Sequence, residues 1–347
     1  MKITFLEPQL KINGGRRVIF IYADILTKWG HEVVVATINT HLLKRWIANA
    51  IDYRPSWMRQ YKFKLIRVPS FNSEHIPSAD IVVADEWKII DSLSQLPKQA
   101  GVKIHFVQHD ERLYHGDREK IDKAYRYPVK KIVIAEWLRE MFKQDYGIEV
   151  DLVLNSVDKK QFSKQPRTKN PNDIRILMLH HTYPWKGTKE GIEVVQRFKD
   201  GYPNVKLILF GARKPNVGET PCDEYYYNLP QEKLSWLYSN SDIFLCPSWD
   251  EGFTLPSIEA MACGCALVTY GTGSARHYAY DGVTAMVAER LNKEDLFLKT
   301  EMLAKDKALR DKIAQGGYEF MQKMPTWEDR ATELLNIFKK ELNKNNA

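Results

Sequence analysis

Cysteine is scarce in this chain: four residues, Cys222, Cys246, Cys263 and Cys265, in a length of 347. None forms a Cys-x-x-Cys, so the sequence offers neither a disulfide framework nor a structural zinc site. No run approaches the roughly 18 apolar residues that a membrane-spanning helix needs. The apolar stretch near the start, Ile3-Thr4-Phe5-Leu6, ends on Glu7 and is too short for a secretory leader. Internal repeats and low-complexity segments are absent. With 44% hydrophobic and 27% charged residues, the composition excludes disordered, collagenous and fibrous classes. These absences lead us to expect a cytoplasmic protein, attached to a membrane at most peripherally, on the inner face of the cell membrane. At roughly 150 residues per domain the length fits two domains.

The charge is unevenly spread. Residues 1–165 hold 27 Lys and Arg against 20 Asp and Glu, whereas residues 166–347 hold 24 of each, so the first half carries the whole net charge of +7. A basic half attracts anions: nucleic acid, acidic lipid headgroups, or a phosphorylated substrate. No RNA- or DNA-binding signature accompanies the charge, and nucleic acid is not an expected partner.

Short β-branched runs alternate with longer amphipathic stretches. Lys2–Leu6 precedes a helical pattern from about Arg17 to Trp29, then Glu32–Thr37; runs at Ile81–Ala84, Lys103–Val107 and Lys131–Ala135 follow, the last leading into a helix through Tyr146. Continuous apolar runs between helices read as parallel strands covered on both faces, hence a doubly wound α/β sheet. The stretch Ser163–Asn172 has two prolines and no apolar residue, and reads as a linker. The alternation then restarts at Ile174–Leu179, with a helix from about Thr188 to Phe198, strands at Lys206–Phe210, Asp242–Cys246 and Ala266–Tyr270, and closing helices. The expected layout is a first domain over 1–162, a linker over 163–172, a second domain over 173–325 and a final segment over 326–347. Two Rossmann-like α/β domains would then face each other across a cleft, with ligand at the carboxyl ends of the strands.

The most specific stretch runs from Pro247 to Gly264: a strand ends at Cys246, a Gly- and Pro-containing loop turns, and a helix is expected near Ser257. Backbone N–H groups at such a helix start suit a diphosphate. Glu251 and Glu259 flank that place, and carboxylates there are fitted to accept hydrogen bonds from ribose or hexose hydroxyls. An anion site beside polyol acceptors points to a nucleotide sugar.

Glu251-x7-Glu259 followed by Ala260-Met261-Ala262-Cys263-Gly264 resembles glycosyltransferase family 4, retaining enzymes of the GT-B fold. Further fragments resemble the same family in order: Asn13-Gly14-Gly15, Trp29-Gly30-His31-Glu32-Val33, Asn155-Ser156-Val157-Asp158, Trp185-Lys186-Gly187, Phe210-Gly211, Gly271-Thr272-Gly273 and Tyr280-Asp281-Gly282. The resemblance implies a hexosyltransferase-type enzyme that moves a sugar from a nucleotide-diphosphate donor to a hydroxyl acceptor, a glycan or glycolipid, in the synthesis of cell-surface polysaccharide or glycoconjugate. It also implies roles. Glu259 would hold the ribose, Glu251 the transferred sugar, and Lys186 the diphosphate, with Phe253, Thr254 and Leu255 amides, Gly211 and Gly15 around it. His109 would reach the donor sugar from the first domain. Catalysis would rest on Glu251, His109 and Lys186, mainly by stabilising charge on the leaving phosphate. The final segment would cross back onto the first domain. Where the family carries an Arg five residues before the Lys, this chain has His181, so a protonated His181 or another cation (Arg16, Arg17 or Arg213) would complete the clamp. Rivals are a GT-B epimerase or phosphorylase, and a catalytically silent nucleotide-sugar-binding subunit.

The chain contains no Asp-x-Asp, the pair with which GT-A transferases hold a divalent ion. His180-His181 and His105 with His109 have poor spacing for a metal, so no metal and no cofactor beyond the sugar-nucleotide co-substrate is expected. Gly271-x-Gly273 is no dinucleotide fingerprint, because Arg276 stands at the third glycine's place. From Leu42 to Arg67 basic residues interleave with aromatics. Lys44, Arg45, Trp46, Trp57, Arg59 and Lys62, with Arg16 and Arg17, are expected on the acceptor side or against an anionic membrane surface.

Overall fold

The computed structural model describes residues 1–346 except 115, 200 and 216–219. The chain forms two compact units, Met1–Asn155 with Trp327–Ala347, and Ser156–Thr326.

The first unit is built from β1 (Lys2–Glu7), α1 (Gly14–Lys28), β2 (Glu32–Ile38), α2 (Leu42–Ala50), β3 (Lys64–Val68), β4 (Ile81–Ala84), α3 (Ile90–Gln95), β5 (Val102–Val107), α4 (Arg118–Arg126), β6 (Lys130–Val133), α5 (Glu136–Tyr146) and β7 (Asp151–Leu152). Its strands lie in the order β3-β2-β1-β4-β5-β6-β7, every pair parallel. The second unit contains β8 (Ile174–Leu179), α6 (Thr188–Lys199), β9 (Val205–Gly211), β10 (Glu224–Tyr227), α7 (Gln231–Ser239), β11 (Ile243–Cys246), α8 (Leu255–Ala262), β12 (Ala266–Tyr270), β13 (Ala285–Ala288), α9 (Lys293–Lys305) and α10 (Lys307–Lys323). Its sheet runs β10-β9-β8-β11-β12-β13, again all parallel. Central strands such as Ile243–Cys246 and Ile81–Ala84 are buried at every position, because helices cover both faces. The last helix, α11 (Trp327–Asn346), packs in the first unit, where Trp327 meets Tyr22 of α1 edge-on at 5.5 Å.

Residues 163–172, expected as a linker, are hydrogen-bonded to the second unit. Gln165 N donates to Ser239 Oγ at 2.9 Å, Thr168 N to Asn240 Oδ1 at 2.7 Å, and Lys169 Nζ to Asp242 Oδ2 at 2.6 Å. The polar composition there serves these bonds. Strands β3, β7, β10 and β13 carry no expectation from the sequence: all four lie at sheet edges, where charged or tyrosine side chains break the apolar run of β3, β7 and β10 and β13 is only four residues long.

His105 sits in the middle of β5, fully buried, and neither ring nitrogen has a hydrogen-bond partner. Burial, with Lys131 on the adjacent strand, pushes its pKa down to about 3. The imidazole is therefore neutral in the fold, while the unfolded chain takes up a proton near pH 6.5. The native state is penalised as pH falls below 6.5, and the penalty stops growing near pH 3. At pH 5 it amounts to about 2 kcal/mol. Denaturant unfolding across this window should show the loss, and His105→Phe should remove it; an unchanged acid slope in His105→Phe would show that other groups set it. Among the described residues, no helix is long and apolar enough to cross a membrane.

Candidate active site

In the second sheet the strand order reverses between β8 and β11, so the loops leaving these strands diverge and open a crevice at their carboxyl ends. After β8 the chain passes His180 and His181, makes a tight turn over Pro184–Lys186, and enters α6 through Gly187. After β11 it runs from Pro247 to Thr254 and enters α8. Gly187 joins the two loops. It has φ of +65°, and a Cβ there would sit 2.1 Å from the Pro247 carbonyl oxygen. Beside it Trp249 N donates to the Trp185 carbonyl at 2.8 Å, and Trp249 Nε1 donates to Glu190 Oε2 at 2.8 Å. Tyr270 also donates to Glu190. We expect Gly187→Ala to cost on the order of 2 kcal/mol or more, from left-handed strain plus overlap with backbone. A melting temperature within a degree or so of wild type would contradict this packing.

The consequence of this fastening is one ion pair. Lys186 Nζ lies 2.6 Å from Glu251 Oε1, the lysine partly exposed and the glutamate buried. Glu259 is also buried, and Tyr238 OH donates to its Oε2 at 3.1 Å. The helix carrying Glu259 starts earlier than expected: Thr254 is the N-cap and α8 opens at Leu255, with Pro256 tolerated in the first turn and Ser257 buried inside. Glu259 therefore falls in the second turn. Phe253 and Thr254 are buried at the helix entry, Phe253 stacked on His277 with ring centroids 6.1 Å apart and Thr254 Oγ1 3.4 Å from Ser274 Oγ.

His181 closes the other side of the Lys186 loop. Its backbone N–H donates to Thr188 Oγ1 at 2.9 Å, and Tyr183 N donates to its Nδ1 at 3.1 Å. That bond leaves the neutral ring with its proton on Nε2. Burial, reinforced by Lys186, lowers the His181 pKa to about 4. Without a diphosphate beside it His181 is thus a neutral donor near neutral pH, and a protonated ring would need that anion's charge. Arg213, on the exposed loop after β9, is close enough to contribute to the same lowering. Tyr225 OH donates to the Arg213 carbonyl at 2.7 Å and lies 2.6 Å from His180 Nδ1. Gly211 ends β9 against the His180 carbonyl, 2.7 Å from where a Cβ would stand.

In the first unit the equivalent reversal lies between β1 and β4. Gly15 is the second residue of α1, and its carbonyl accepts from Gln108 Nε2 at 3.0 Å; the same Nε2 donates to Asp85 Oδ2 at 3.0 Å. His109 Nδ1–H donates to the Asp110 carbonyl at 2.9 Å. Arg16 corrects an expectation. It is fully buried, its Nε 2.8 Å from Glu7 Oε2 and one terminal nitrogen 2.8 Å from Glu86 Oε1, so it neither faces a membrane nor serves as a spare cation for a diphosphate. Trp57 also turns inward, stacked on Phe20 at 5.4 Å, whereas Trp46 is exposed. The sequence reading passed over Asp85, Glu86 and Glu111 around this point. Burial and Glu86 raise Asp85 to about 7, and burial and Asp85 hold Glu111 well above the usual carboxylate range. The available signal was position, since Asp85-Glu86 directly follows the apolar run of β4. Among the described residues, no three His, Cys, Asp or Glu side chains gather as metal ligands.

Residues 159–320, nearly the whole second unit, match the family model of glycosyl transferases group 1. This unit is similar to members of that family. The chain's GT-B fold is shared with sucrose-phosphate synthase from Thermosynechococcus elongatus (16% identity, 99% of this chain and 100% of that one, TM-score 0.80). It is shared as well with HepE from Anabaena, solved with UDP and glucose (15% identity, 98% and 100%, TM-score 0.75). At these identities the likeness carries the fold alone. Among curated relatives, the N,N'-diacetylbacillosaminyl-diphospho-undecaprenol alpha-1,3-N-acetylgalactosaminyltransferase of Campylobacter jejuni is 32% identical over 148 residues, 40% of this chain and 38% of that protein. A capsular polysaccharide biosynthesis glycosyltransferase of Staphylococcus aureus is 29% identical over 169 residues, 43% of each. The chain thus spans about two-fifths of the length of these relatives. The group 1 match contains Lys186, Glu251 and Glu259 together, the residues the β8–β11 crevice collects.

Proposed function

We propose that this chain is a glycosyltransferase of group 1 and transfers a sugar from a nucleotide-diphosphate donor to a hydroxyl acceptor with retention of configuration, without a metal, in the cytoplasm. The observation that carries the reading is the Lys186–Glu251 pair at 2.6 Å in the β8–β11 crevice, with Glu259 in the second turn of the helix that opens there. In this reading the Lys186 ammonium leaves Glu251 for the donor diphosphate and neutralises charge as the phosphate departs. Glu251 then accepts from hydroxyls of the transferred sugar, and Glu259 from the ribose. Backbone N–H groups around Phe253–Leu255 face the phosphates. Neutral His181 contributes one Nε2–H donor, and Arg213 supplies the second cation. A glycan or lipid-linked acceptor fits the relatives, one of which is named for a diphospho-undecaprenol substrate and another for capsular polysaccharide synthesis.

The test is a metal-free thermal-shift panel of UDP-, GDP-, ADP- and dTDP-sugars, followed by turnover of the donor that binds. Stabilisation by one nucleotide class, followed by turnover, supports the transferase. A second reading, a nucleotide-sugar-binding subunit without turnover, is favoured by the neutral His181, which replaces a charged fork with a single donor. Binding with no turnover, with acceptor extracts supplied, would favour that subunit. No shift with any donor would overturn both.

A further inference from the structure

Helix α2 is amphipathic in the inverted sense. At 100° per residue, Leu42, Leu43, Trp46, Ile47 and Ala50 fall on one face. All five are exposed, Leu42, Leu43 and Trp46 to about 70%, and no residue of the helix is buried. Arg45 and Asn49, on the flank beside Leu42, hold the helix to the protein. Asn49 Nδ2 donates to the Arg67 carbonyl at 3.0 Å and its Oδ1 accepts from Arg67 N at 2.8 Å, on edge strand β3. The buried Arg67 guanidinium reaches back to the Ala48 and Tyr53 carbonyls, and Arg45 donates to the Asn39 carbonyl at 2.8 Å. Ordinary surface helices bury their apolar face and solvate their polar one. Here polar tethers fix the helix with its apolar face outward, and Ile51 and Tyr53 extend that face past the helix end.

The charges beside it have one sign. Helix α2 contains no acidic residue, and Lys44 lies at the margin of its apolar face. Past its end is an open basin of about 450 Å³ that includes Ile51, Tyr53, Arg59 and Lys62. The basin's carboxylate, Asp52, is paired with Arg54 at 2.8 Å, and Arg54 spends its other donors on the Tyr61 and Phe63 carbonyls. Arg59 and Lys62 are exposed around the basin.

We propose that the outward face of α2 is a membrane-docking surface whose occupant is an anionic phospholipid bilayer. Leu42, Leu43, Trp46 and Ile47 enter the headgroup–acyl boundary while Arg59 and Lys62 meet lipid phosphates. Nine residues make a helix of roughly 14 Å, too short to cross a hydrocarbon core of about 30 Å, so the helix lies in the interface plane. The polar tethers to β3 fix the helix to the fold before any lipid is met, so little ordering entropy remains to be lost on docking. This surface stands apart from the transferase reading, because its test reads binding and no turnover.

The full chain is sedimented with phosphatidylcholine vesicles and with phosphatidylglycerol-rich vesicles at low salt. Wild type should partition to the anionic vesicles on the order of tenfold or more above the neutral ones, and lose this preference as salt rises. Leu42→Ser/Trp46→Ser/Ile47→Ser should reduce partitioning to anionic vesicles on the order of tenfold or more with a melting temperature within a few degrees of wild type, since no residue of the helix is buried. Arg59→Gln/Lys62→Gln should keep residual binding but abolish the anionic preference. Wild type left in the supernatant, or the triple variant pelleting as wild type does, overturns the proposal. So does a concentration-dependent dimer that the triple variant abolishes without lipid binding, which would assign the face to a second copy of the chain.

Discussion

Lys186→Ala is expected to lower turnover by on the order of 10²-fold or more, with a smaller effect on donor affinity. The ammonium acts most on the charge that appears as the donor's phosphate leaves, so its removal costs the transition state more than the ground state. The resting structure adds a second consequence. Lys186 is the 2.6 Å partner of Glu251, a carboxylate with 9% side-chain exposure. Removing the lysine leaves a nearly buried anion with one contact fewer. Because Lys186 keeps 23% side-chain exposure and water can reach the gap, the stability loss should be on the order of 2 kcal/mol, below that of a fully buried pair. The double variant Lys186→Ala/Glu251→Gln isolates the stability effect. It should recover most of the melting temperature and none of the turnover. If turnover returned together with stability, the lysine would be a strut for the loop, and the phosphate would have to be met elsewhere. Turnover of Lys186→Ala within threefold of wild type would remove Lys186 from the phosphate altogether.

What made this crevice legible is that its parts are local. Glu251, Glu259 and the turn between them lie within a single strand–loop–helix, and Lys186 with Gly187 lies directly after the neighbouring strand of the reversed order. Residue type and spacing pointed to Glu251 and Glu259, and the resemblance to a known family pointed to Lys186. Arg16 was misread because its environment is not local. Glu7 precedes it by nine residues and Glu86 follows seventy later, and only the pairing of β1 with β4 brings their carboxylates to one guanidinium. The start of α8 was placed near Ser257 because serine is a good cap. Thr254 takes the N-cap position instead, without a side-chain capping bond, since proline fits the first helical turn and buried Ser257 continues the helix. The protonation of His181 was beyond sequence reading for another reason. It depends on how deeply the ring is buried and on where Lys186 and Arg213 stand, which no spacing reports. Strand β3 escaped because Lys64 and Arg67 interrupt its apolar pattern at the sheet edge, yet Arg67 is the buried residue that holds α2.

Glu259→Ala should abolish the stabilisation that a nucleotide-sugar donor gives the wild type. Two ribose hydroxyls donating to one ionised carboxylate are worth a few kcal/mol together, so Kd should weaken on the order of 10²-fold. Mass action turns this into a clear readout. A donor at about 100 times Kd stabilises the native state by about 2.7 kcal/mol; the same concentration against a hundredfold weaker site gives ~0.4 kcal/mol. Tyr238 makes the experiment interpretable. Its hydroxyl donates to Glu259 Oε2 at 3.1 Å, so alanine also strips a partner from a buried phenol and lowers the unliganded melting temperature. The comparison must therefore be the shift on adding donor, measured for each protein from its own baseline. Glu259→Gln supplies the control. Its amide oxygen still accepts from Tyr238, keeping the baseline, but offers the ribose a neutral acceptor where the carboxylate gave a charged one, so an intermediate shift is expected. A full shift in Glu259→Ala would detach this residue from the nucleotide and move the ribose to another part of the crevice. A lost shift in alanine with an intermediate one in glutamine would fix the orientation of the donor, ribose toward α8 and diphosphate toward the Lys186 loop.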